Sequence, residues 1–364
     1  MSASREKKAR QERGADYLTP KQQKALEEQK ATRRSTLIFT VCAALFVLCV
    51  AAMIVWNSGV IQRGAAAIRI NGETYTAGDV SFYYYNARVN IFSSLSPNQS
   101  IDPGGSLRKQ EYVEGSSWFD LIADSAIESM TGTVLAAQAG KDAGLDLTED
   151  YQNEVNDALA SLKEYAESNG YSVSQYLKGV YGSLMTRDVY ERNLRIAALA
   201  SAYGDSISAV SNYSDAELTA KRDAKPEKYD LVSVRHILVE DEKTAKDILA
   251  QWESGEKTEA SFAELATENS TDPGSAENGG LYTGVTDGQM VAEFNDWCFD
   301  DARRPGDTDI VQTTYGYHIM YFVSRELSPT WQEDAAAAIA SDHLIALSES
   351  VEAERLSGMK YVDR

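Results

Sequence analysis

A histidine lies inside a strand-like run in the second half of this 364-residue chain. The run VRHILVE (234–240) alternates as a half-buried strand does, which puts His236 on the same face as Val234 and Leu238. The chain has only three histidines. Such a histidine is either a core residue satisfied by one hydrogen bond or part of a catalytic site, and the run alone does not decide between them.

The segments around His236 form one small mixed region, from about Tyr229 to Arg325. Alternation predicts strands, a period near 3.6 predicts helices, and glycine-rich stretches predict turns. In chain order we expect a strand at 229–239, a helix carrying Ala245 and Trp252, a second helix opened by a capping box at Ser261–Glu264, a glycine-rich loop at 271–280, a helix around 291–300, and strands near 308–312 and 317–323. This order predicts an α/β domain with a mostly antiparallel sheet.

Helical patterns flank the mixed region on both sides. Apolar residues recur three and four positions apart from Asp79 to about Ala224, where a capping box at Ser214–Glu217 opens the last helix, and again beyond Pro329. The C-terminal helix has to bury its apolar stripe, so we expect it to pack back on the earlier helices, with the mixed region inserted between them. The predicted fold class is α+β. The predicted divisions are a basic tail at 1–35, a transmembrane helix at 36–57, a helical domain at 58–226, the mixed domain at 227–326, and a C-terminal helix at 327–364 that completes the helical domain.

Three local patterns stand out in the helical domain. Asn71-Gly72 separates two short extended runs in AAIRINGETYT (66–76), which predicts a tight hairpin. The tyrosines at 83, 84 and 85 are consecutive, so they cover every side of a helix. We therefore expect some of them to be exposed or to lie in a groove that binds an apolar partner. Residues 96–106 are predicted to form a turn-rich loop.

The N-terminal part of the chain predicts a membrane anchor. Thr36 to Trp56 has no charged residue over 21 positions, enough to cross the roughly 30 Å hydrocarbon core of a bilayer. Residues 1–35 carry a charge of about +5, so the positive-inside rule places the N-terminus in the cytoplasm and the rest of the chain outside, in a single-pass cell-membrane protein. A cleaved signal peptide is the alternative, although its apolar stretch is usually shorter.

The predicted external part is strongly acidic. The net charge is −20, so the residues after 35 sum to about −25, which argues against nucleic acid as a partner. Cys42 and Cys49 lie within the predicted span, which leaves Cys298 alone outside and excludes an intrachain disulfide there. Cys298 lies beside Phe299 on a predicted helix, so we expect it to be a core residue rather than a nucleophile.

Four segments of the mixed region together resemble the parvulin family of peptidyl-prolyl cis/trans isomerases. They are VRHILVE (234–240), SFAELATENSTDPGSAENGG (261–280), DGQMVAEFNDWCF (287–299) and TTYGYHIMYF (313–322), in that order and at the family's separations. The resemblance covers about a quarter of the chain. The whole layout resembles extracytoplasmic foldases of the PrsA and SurA type.

The resemblance implies a site with two groups of residues. The catalytic group it implies is His236, Asp272, Thr313 and His318. The substrate-binding group it implies is Tyr282, Gln289, Met290, Phe294 and Tyr315. In such a site the two histidines face each other from adjacent central strands, and Met290 and Phe294 line a pocket for the proline ring. His236 would then point inward because it has a partner.

The residues expected at this site suit rotation about an X-Pro bond. Resonance holds the amide planar behind a barrier near 20 kcal/mol, and no bond has to break for rotation. An apolar socket can hold the proline ring while a few fixed polar groups support the twisted form. Zinc is the alternative, but His236 and His318 show no metal-ligand spacing and no cysteine pair is nearby, so we expect neither metal nor cofactor.

The chain departs from the family pattern in two places. It reads Gly-Gly-Leu-Tyr-Thr at 279–283 where the family usually reads Gly-Gly-Asp-Leu-Gly, which alters the expected pocket wall at Tyr282. It also carries Glu240, Asp241 and Glu242 where parvulins selective for phosphorylated substrates carry a basic cluster. Like charges repel a phosphate, so we expect no preference for phosphorylated substrates.

Two functions follow as hypotheses. The first is a membrane-anchored prolyl isomerase that acts on unfolded or partly folded exported proteins, because slow X-Pro isomerisation limits folding. The second is a holdase chaperone whose helical domain binds unfolded exported chains while its parvulin-like domain is weakly active or inactive. The sequence does not decide whether the chain forms a homodimer through the helical domain.

Overall fold

A computed structural model describes residues 4–5, 7–8, 20–96 and 101–363 of the chain. Much of the predicted basic tail, and residues 97–100 of the predicted loop, lie outside these ranges. The described chain divides into two compact units, each assembled from segments that are distant in sequence. One unit takes the described residues up to Ile127, Leu162–Tyr190 and those from Ala353 onward, and the other takes Glu128–Ser161 and Glu191–Glu352.

The fold is mixed α+β and mostly helical. The helices are α1 (Pro20–Asn57), α2 (Val60–Arg63), α3 (Ala77–Ser93), α4 (Trp118–Asp142), α5 (Glu149–Ser168), α6 (Val173–Tyr181), α7 (Arg187–Ile207), α8 (Asp215–Ala224), α9 (Glu242–Ser254), α10 (Glu259–Asn269), α11 (Ala292–Phe299) and α12 (Trp331–Glu349). The strands are β1 (Ala66–Ile70), β2 (Glu73–Thr76), β3 (Glu111–Val113), β4 (Ser116–Ser117), β5 (Asp230–Val239), β6 (Leu281–Val285), β7 (Thr308–Thr313), β8 (Gly316–Leu327) and β9 (Glu354–Arg355).

A four-stranded antiparallel sheet lies at the centre of the mixed region, in the order β6-β5-β8-β7. The predicted strands and helices of this region are present with small shifts of their ends. One prediction about a helix start is wrong. Helix α10 begins at Glu259 because Thr258 is its N-cap, accepting from the Ser261 backbone N–H, so Ser261 is the third residue of the first turn and not the cap.

Both faces of this sheet are covered by apolar side chains. Strand residues alternate between the faces, so neighbours such as Ile319 and Met320 enter different clusters. One cluster packs α9 and α10 on the sheet and contains Ile237, Val239, Trp252, Phe262, Ile319 and Tyr321. The other packs α11 on the opposite face and contains Val232, Val234, Phe294, Trp297, Cys298, Phe299, Met320 and Phe322. Cys298 is fully buried there, so the prediction that it is a core residue is confirmed.

The same unit contains helices from both sides of the mixed region. Helix α12 contacts α8, and Ala335 and Ala336 of α12 are buried with Leu218 and Tyr229. The predicted capping box that opens α8 is present, because the Ser214 hydroxyl accepts from the Glu217 N–H and the Glu217 carboxylate accepts from the Ser214 N–H. His343 of α12 is within 3.1 Å of the Tyr203 hydroxyl, between Nε2 and Oη.

The other unit is built on a small sheet that joins distant parts of the chain. The hairpin β1-β2 turns at Asn71-Gly72, both with positive φ (47° and 81°), as the sequence predicts. The C-terminal strand β9 pairs with the free edge of β1, which the sequence patterns did not predict. Gly358 then packs against the backbone of Ala66, so this C-terminal segment closes the unit.

The consecutive tyrosines on α3 are more enclosed than predicted. Tyr83 and Tyr84 are buried and Tyr85 is half-buried, so the first alternative, that some of the three are exposed, is wrong. They lie in the core of their own unit: Tyr84, for example, packs at 5.3 Å between ring centroids against Phe119.

Helix α1 contains the predicted apolar span. Among the described residues, the stretch Lys21–Asn57 is long and apolar enough to cross a membrane, and its side chains are exposed in the isolated chain. A signal sequence near an N-terminus can pass the same test of length and apolar composition, so the span fits either an anchor or a signal sequence.

Candidate active site

Two central strands bring His236 and His318 together. In the register of β5 with β8, His236 lies opposite Met320 and His318 lies opposite Leu238, so the histidines are diagonal neighbours. Both project from the face that α11 covers, beside Met320. The Nδ1 atoms of the two rings are 3.0 Å apart, and the rings stack at 5.2 Å between centroids. Both side chains are buried.

A carboxylate holds the outer nitrogen of His236. Asp272, in the glycine-rich loop before β6, lies with its Oδ2 atom 3.1 Å from His236 Nε2. The Ser275 hydroxyl donates to the same Oδ2 over 2.5 Å and lies 3.0 Å from His236 Nε2. The Tyr282 hydroxyl also donates to Oδ2, over 3.0 Å. One carboxylate oxygen therefore collects three donor groups.

A threonine holds the outer nitrogen of His318. The Thr313 hydroxyl lies 2.9 Å from His318 Nε2, and Thr313 is buried at the end of β7. The backbone N–H of Tyr315 donates to the Thr313 oxygen over 3.1 Å. A hydroxyl can accept on a lone pair and still donate its single proton, so the Thr313 hydroxyl can donate to His318.

These contacts set the direction of every hydrogen bond in the chain of groups. An ionised Asp272 accepts only, so His236 carries its proton on Nε2 and accepts at Nδ1. His318 then donates from Nδ1 and accepts at Nε2 from Thr313. Each ring is neutral with one defined tautomer, and all donors point toward the carboxylate.

Burial keeps both histidines neutral. Burial lowers the pKa of His236 below its ordinary value, although the Asp272 carboxylate opposes the shift. Burial and the neighbouring His236 lower the pKa of His318 to about 4. For Asp272, burial favours the protonated acid, but the hydrogen bonds from Ser275, His236 and Tyr282 outweigh it, so its pKa is below the ordinary value. At neutral pH the site therefore holds one negative charge and two neutral imidazoles.

An aromatic ring forms the apolar wall beside the histidines. Phe294 on α11 meets His236 and His318 edge-on, with centroid distances of 5.3 and 5.5 Å. Met290, four residues before Phe294 and just ahead of α11, is half-buried against the same cluster. The Tyr282 ring lies 5.4 Å from the His236 ring. The predicted catalytic group, Met290, Phe294 and Tyr282 are thus brought to one place.

Two predicted substrate-binding side chains are not brought to the histidines. Gln289 is exposed, and its side-chain oxygen accepts from the Thr286 N–H over 3.1 Å, which closes a local turn. The Tyr315 side chain is 70% exposed on the β7-β8 turn, and its contribution to the network is its backbone N–H.

The sequence patterns missed two residues of this site. Ser275 is buried and contacts both Asp272 and His236; its spacing of three from Asp272 inside a turn was the available signal. Gly280 accepts from the His236 N–H over 2.9 Å and has φ of +73°, where an added Cβ would lie 2.1 Å from the His236 carbonyl oxygen. Only glycine allows β5 and the loop to approach this closely.

The donor set does not gather as a metal site would. Within 20–96 and 101–363, no group of three or more His, Cys, Asp or Glu side chains is placed to hold a metal ion. The facing Nδ1 atoms of His236 and His318 bond to each other instead of converging on a shared point.

Comparison with known proteins agrees with this geometry. Residues 218–325 match the family described as PPIC-type PPIASE domain. Foldase protein PrsA 1 of Listeria innocua is 32% identical over 186 residues, which cover 51% of this chain and 58% of that protein. Foldase protein PrsA of Caldanaerobacter subterraneus is 27% identical over 255 residues, 69% of this chain and 71% of that protein.

A solved structure also aligns with much of the chain. The crystal structure of peptidylprolyl isomerase PrsA from Bacillus cereus covers 68% of this chain and 89% of its own, with 24% identity and a TM-score of 0.36. The chain spans 58% of the length of the Listeria relative. Residues 218–325 are therefore similar to the PPIC-type PPIASE domain family, and the chain is similar to the PrsA foldases.

Proposed function

We propose that this chain is a peptidyl-prolyl cis/trans isomerase that acts as a foldase for exported proteins. The observation that carries the proposal is the buried pair His236 and His318, joined at 3.0 Å and bordered by Phe294. The substrates are unfolded or partly folded chains that contain X-Pro bonds. Catalysis is non-covalent, because rotation about the amide breaks no bond and the nearest thiol, Cys298, is buried with its pKa raised to about 12.

The roles follow from what the twisted amide needs. Twisting removes the resonance that makes the carbonyl oxygen a good acceptor, so a socket that excludes water destabilises the planar form relative to the twisted one. Phe294 and Met290 supply that socket. An acceleration of about 10⁴ needs about 5.4 kcal/mol of preferential binding of the twisted form.

The polar network keeps the socket in one state. With Asp272 ionised and both histidines neutral, the hydrogen-bond chain has a single direction and no group needs to accept or release a proton during rotation. His236, His318 and Thr313 therefore shape the polar side of the pocket, and Asp272 fixes their tautomers. Ser275 holds Asp272 in place.

The experiment is an isomerisation assay on a proline peptide with the full chain in detergent. We expect acceleration of the cis-to-trans change, and its loss in His236→Ala and Phe294→Ala. Cys298→Ala serves as the matched control, since it truncates a buried side chain of α11 in the same apolar cluster as Phe294 without touching the network. Equal rates with and without the wild-type chain refute the enzymatic proposal.

The proposal includes the place of the chain in the cell. Helix α1 anchors it in the cell membrane, with the N-terminal tail in the cytoplasm and the remaining chain outside. Residues 227–326 act as the isomerase domain, inserted between a helical domain at 58–226 and a C-terminal segment at 327–364 that contains α12 and β9. Reporter fusions at the two ends of the chain test this topology, and a C-terminal reporter that is active only in the cytoplasm contradicts it.

The second candidate function is a holdase. The observation that favours it is a set of exposed apolar side chains around the end of α5 and on α6, where Tyr165 and Tyr171 are 57% and 54% exposed and Val180 is 38% exposed. Tyrosine and valine surfaces of this kind suit unfolded segments. The test is suppression of client aggregation. If it persists in Phe294→Ala but is lost in the double variant Tyr165→Ser with Tyr171→Ser, the activity belongs to the helical surface. Homodimerisation through the helical domain is tested by the same preparation in sedimentation.

A further inference from the structure

We propose that Gly274 and Tyr282 form a positioning pair that holds the Asp272 carboxylate against His236. This inference rests on the proposed function and deepens it, since it names what keeps the polar side of the site in one state in this chain. Tyr282 and Gly274 are positioning residues because they act on the histidines through Asp272.

The first observation is the place of the Tyr282 hydroxyl. Tyr282 lies on β6, the strand next to β5, and its hydroxyl reaches back to Asp272 Oδ2 over 3.0 Å. Its ring lies beside the His236 ring, 5.4 Å between centroids with an interplanar angle of 32°. The side chain is therefore fixed at both ends, by its ring against the imidazole and by its hydroxyl on the carboxylate.

The second observation is the space that Gly274 leaves open. A Cβ atom added at Gly274 would lie 2.5 Å from the Tyr282 hydroxyl oxygen, closer than such atoms approach. The same Cβ would be 3.6 Å from both Asp272 Oδ2 and the Tyr282 Cζ atom, which is ordinary contact. Gly274 is thus needed only because Tyr282 carries a hydroxyl.

The consequence for the site is a fuller set of donors on one oxygen. Oδ2 of Asp272 receives Ser275, Tyr282 and the His236 ring from three different segments. The titratable groups that face this carboxylate are His236, His318 and Tyr282. Each donor favours the ionised form of Asp272, and the ionised carboxylate fixes the tautomers of both histidine rings. Loss of one donor therefore makes the direction of these hydrogen bonds less fixed.

The experiment measures the histidines directly. The chain has three histidines, so the full-length protein labelled with ¹⁵N at histidine in detergent gives few imidazole signals, and their shifts report tautomer and charge. We expect Tyr282→Phe to raise the pH midpoint of the His236 signal by about one unit. The reason is that the ionised Asp272 carboxylate, which contacts His236, loses the hydrogen bond from the Tyr282 hydroxyl. Gly274→Ala should give the same shift by displacing the hydroxyl.

A double variant separates this pair from general disturbance. In the Tyr282→Phe background, Gly274→Ala should add no further shift, because the atom it displaces is gone. Tyr321→Phe is the matched control: it makes the same change on the opposite face of the same sheet and should leave the midpoint unchanged. An unchanged midpoint in Tyr282→Phe, or additive shifts in the double variant, overturns the proposal.

The outcome is distinguishable from failure of the proposed function. The imidazole signals do not depend on isomerase activity. A domain that is inactive but shows the expected shifts therefore contradicts the proposed isomerase function and supports the Gly274–Tyr282 pair. If the wild type is an active isomerase but the variants show no shifts, the proposed function is supported and the Gly274–Tyr282 pair is refuted. If Gly274→Ala does not fold, Tyr282→Phe alone still decides, because it removes one oxygen atom and leaves the ring in place.

Discussion

Replacement of Phe294 by alanine tests the link between burial and the state of the histidines. The Phe294 side chain is 3% exposed and meets both imidazoles edge-on, at 5.3 and 5.5 Å. Its removal leaves a space directly beside the two rings. Water can enter that space, because the histidines and Asp272 offer it polar partners.

The size of the effect has two parts. Phe-to-Ala changes in a core cost about 3 to 5 kcal/mol of unfolding free energy, and this site should lie near the upper end because two edge-on aromatic contacts are lost as well. A domain with ordinary stability, about 5 to 15 kcal/mol, can tolerate that loss at 25 °C. The burial that holds the pKa of His318 at about 4 is also reduced, so this pKa should rise toward 6.5.

The assay combines denaturant unfolding, histidine NMR titration and peptide isomerisation on the same preparations. Phe299→Ala is the matched control, since Phe299 lies on the same helix and in the same apolar cluster, one and a half turns further on. Both variants should lose several kcal/mol of stability. Phe294→Ala alone should raise the pKa of His318 and abolish isomerisation.

The reasoning is refuted if the two variants behave alike. Equal isomerase activity in Phe294→Ala and Phe299→Ala means that the ring beside the histidines is only a core residue. An unchanged pKa of His318 in Phe294→Ala means that burial by this ring is not what keeps the imidazole neutral.

Three further predictions concern the same molecule. Because His236 and His318 have lowered pKa values when folded, their contribution to the unfolding free energy should be fully present above pH 6.5, and the part from His318 should fall by roughly 3 kcal/mol as pH drops to about 4; a flat profile between pH 6.5 and pH 4 in urea titrations contradicts this. Gly280→Ala should cost about 3 kcal/mol or more in thermal unfolding, through its clash with the His236 carbonyl, whereas Gly284→Ala, with φ of +64° and open space, should cost about 1; equal costs exclude the close approach. Gly358→Ala should loosen the C-terminal segment, since its Cβ would clash with the Ala66 carbonyl oxygen, and hydrogen exchange in β1 should rise; unchanged exchange contradicts that closure.

Much of the local structure was predictable from the sequence because it depends on neighbours in the chain. Alternation identified β5, the helical period identified α7 and α12, and Asn71-Gly72 placed the first hairpin. Local patterns also failed where two signals competed. Thr258 and Ser261 are both good caps, and the earlier one starts α10 because its hydroxyl reaches the N–H three residues on.

The candidate site was predictable as a set of residues but not as a network. The resemblance to the parvulin family identified His236, Asp272, Thr313 and His318, which the structure brings together. It did not indicate Ser275, and it placed Gln289 in the pocket although the side chain closes a turn. Side-chain directions of this kind depend on loop conformations that have no periodic signal.

The sequence by itself determined the types of most elements, the inward face of His236 and the apolar span of α1, since each depends on a repeating pattern or a local composition. Only the tertiary structure decided that β5 and β8 are neighbours, that their register sets two imidazoles 3.0 Å apart, and that β9 closes the first sheet. The physical reason is that strand pairing between distant segments is chosen by the packing of whole faces. A shift of register by one residue would turn His236 and His318 away from each other.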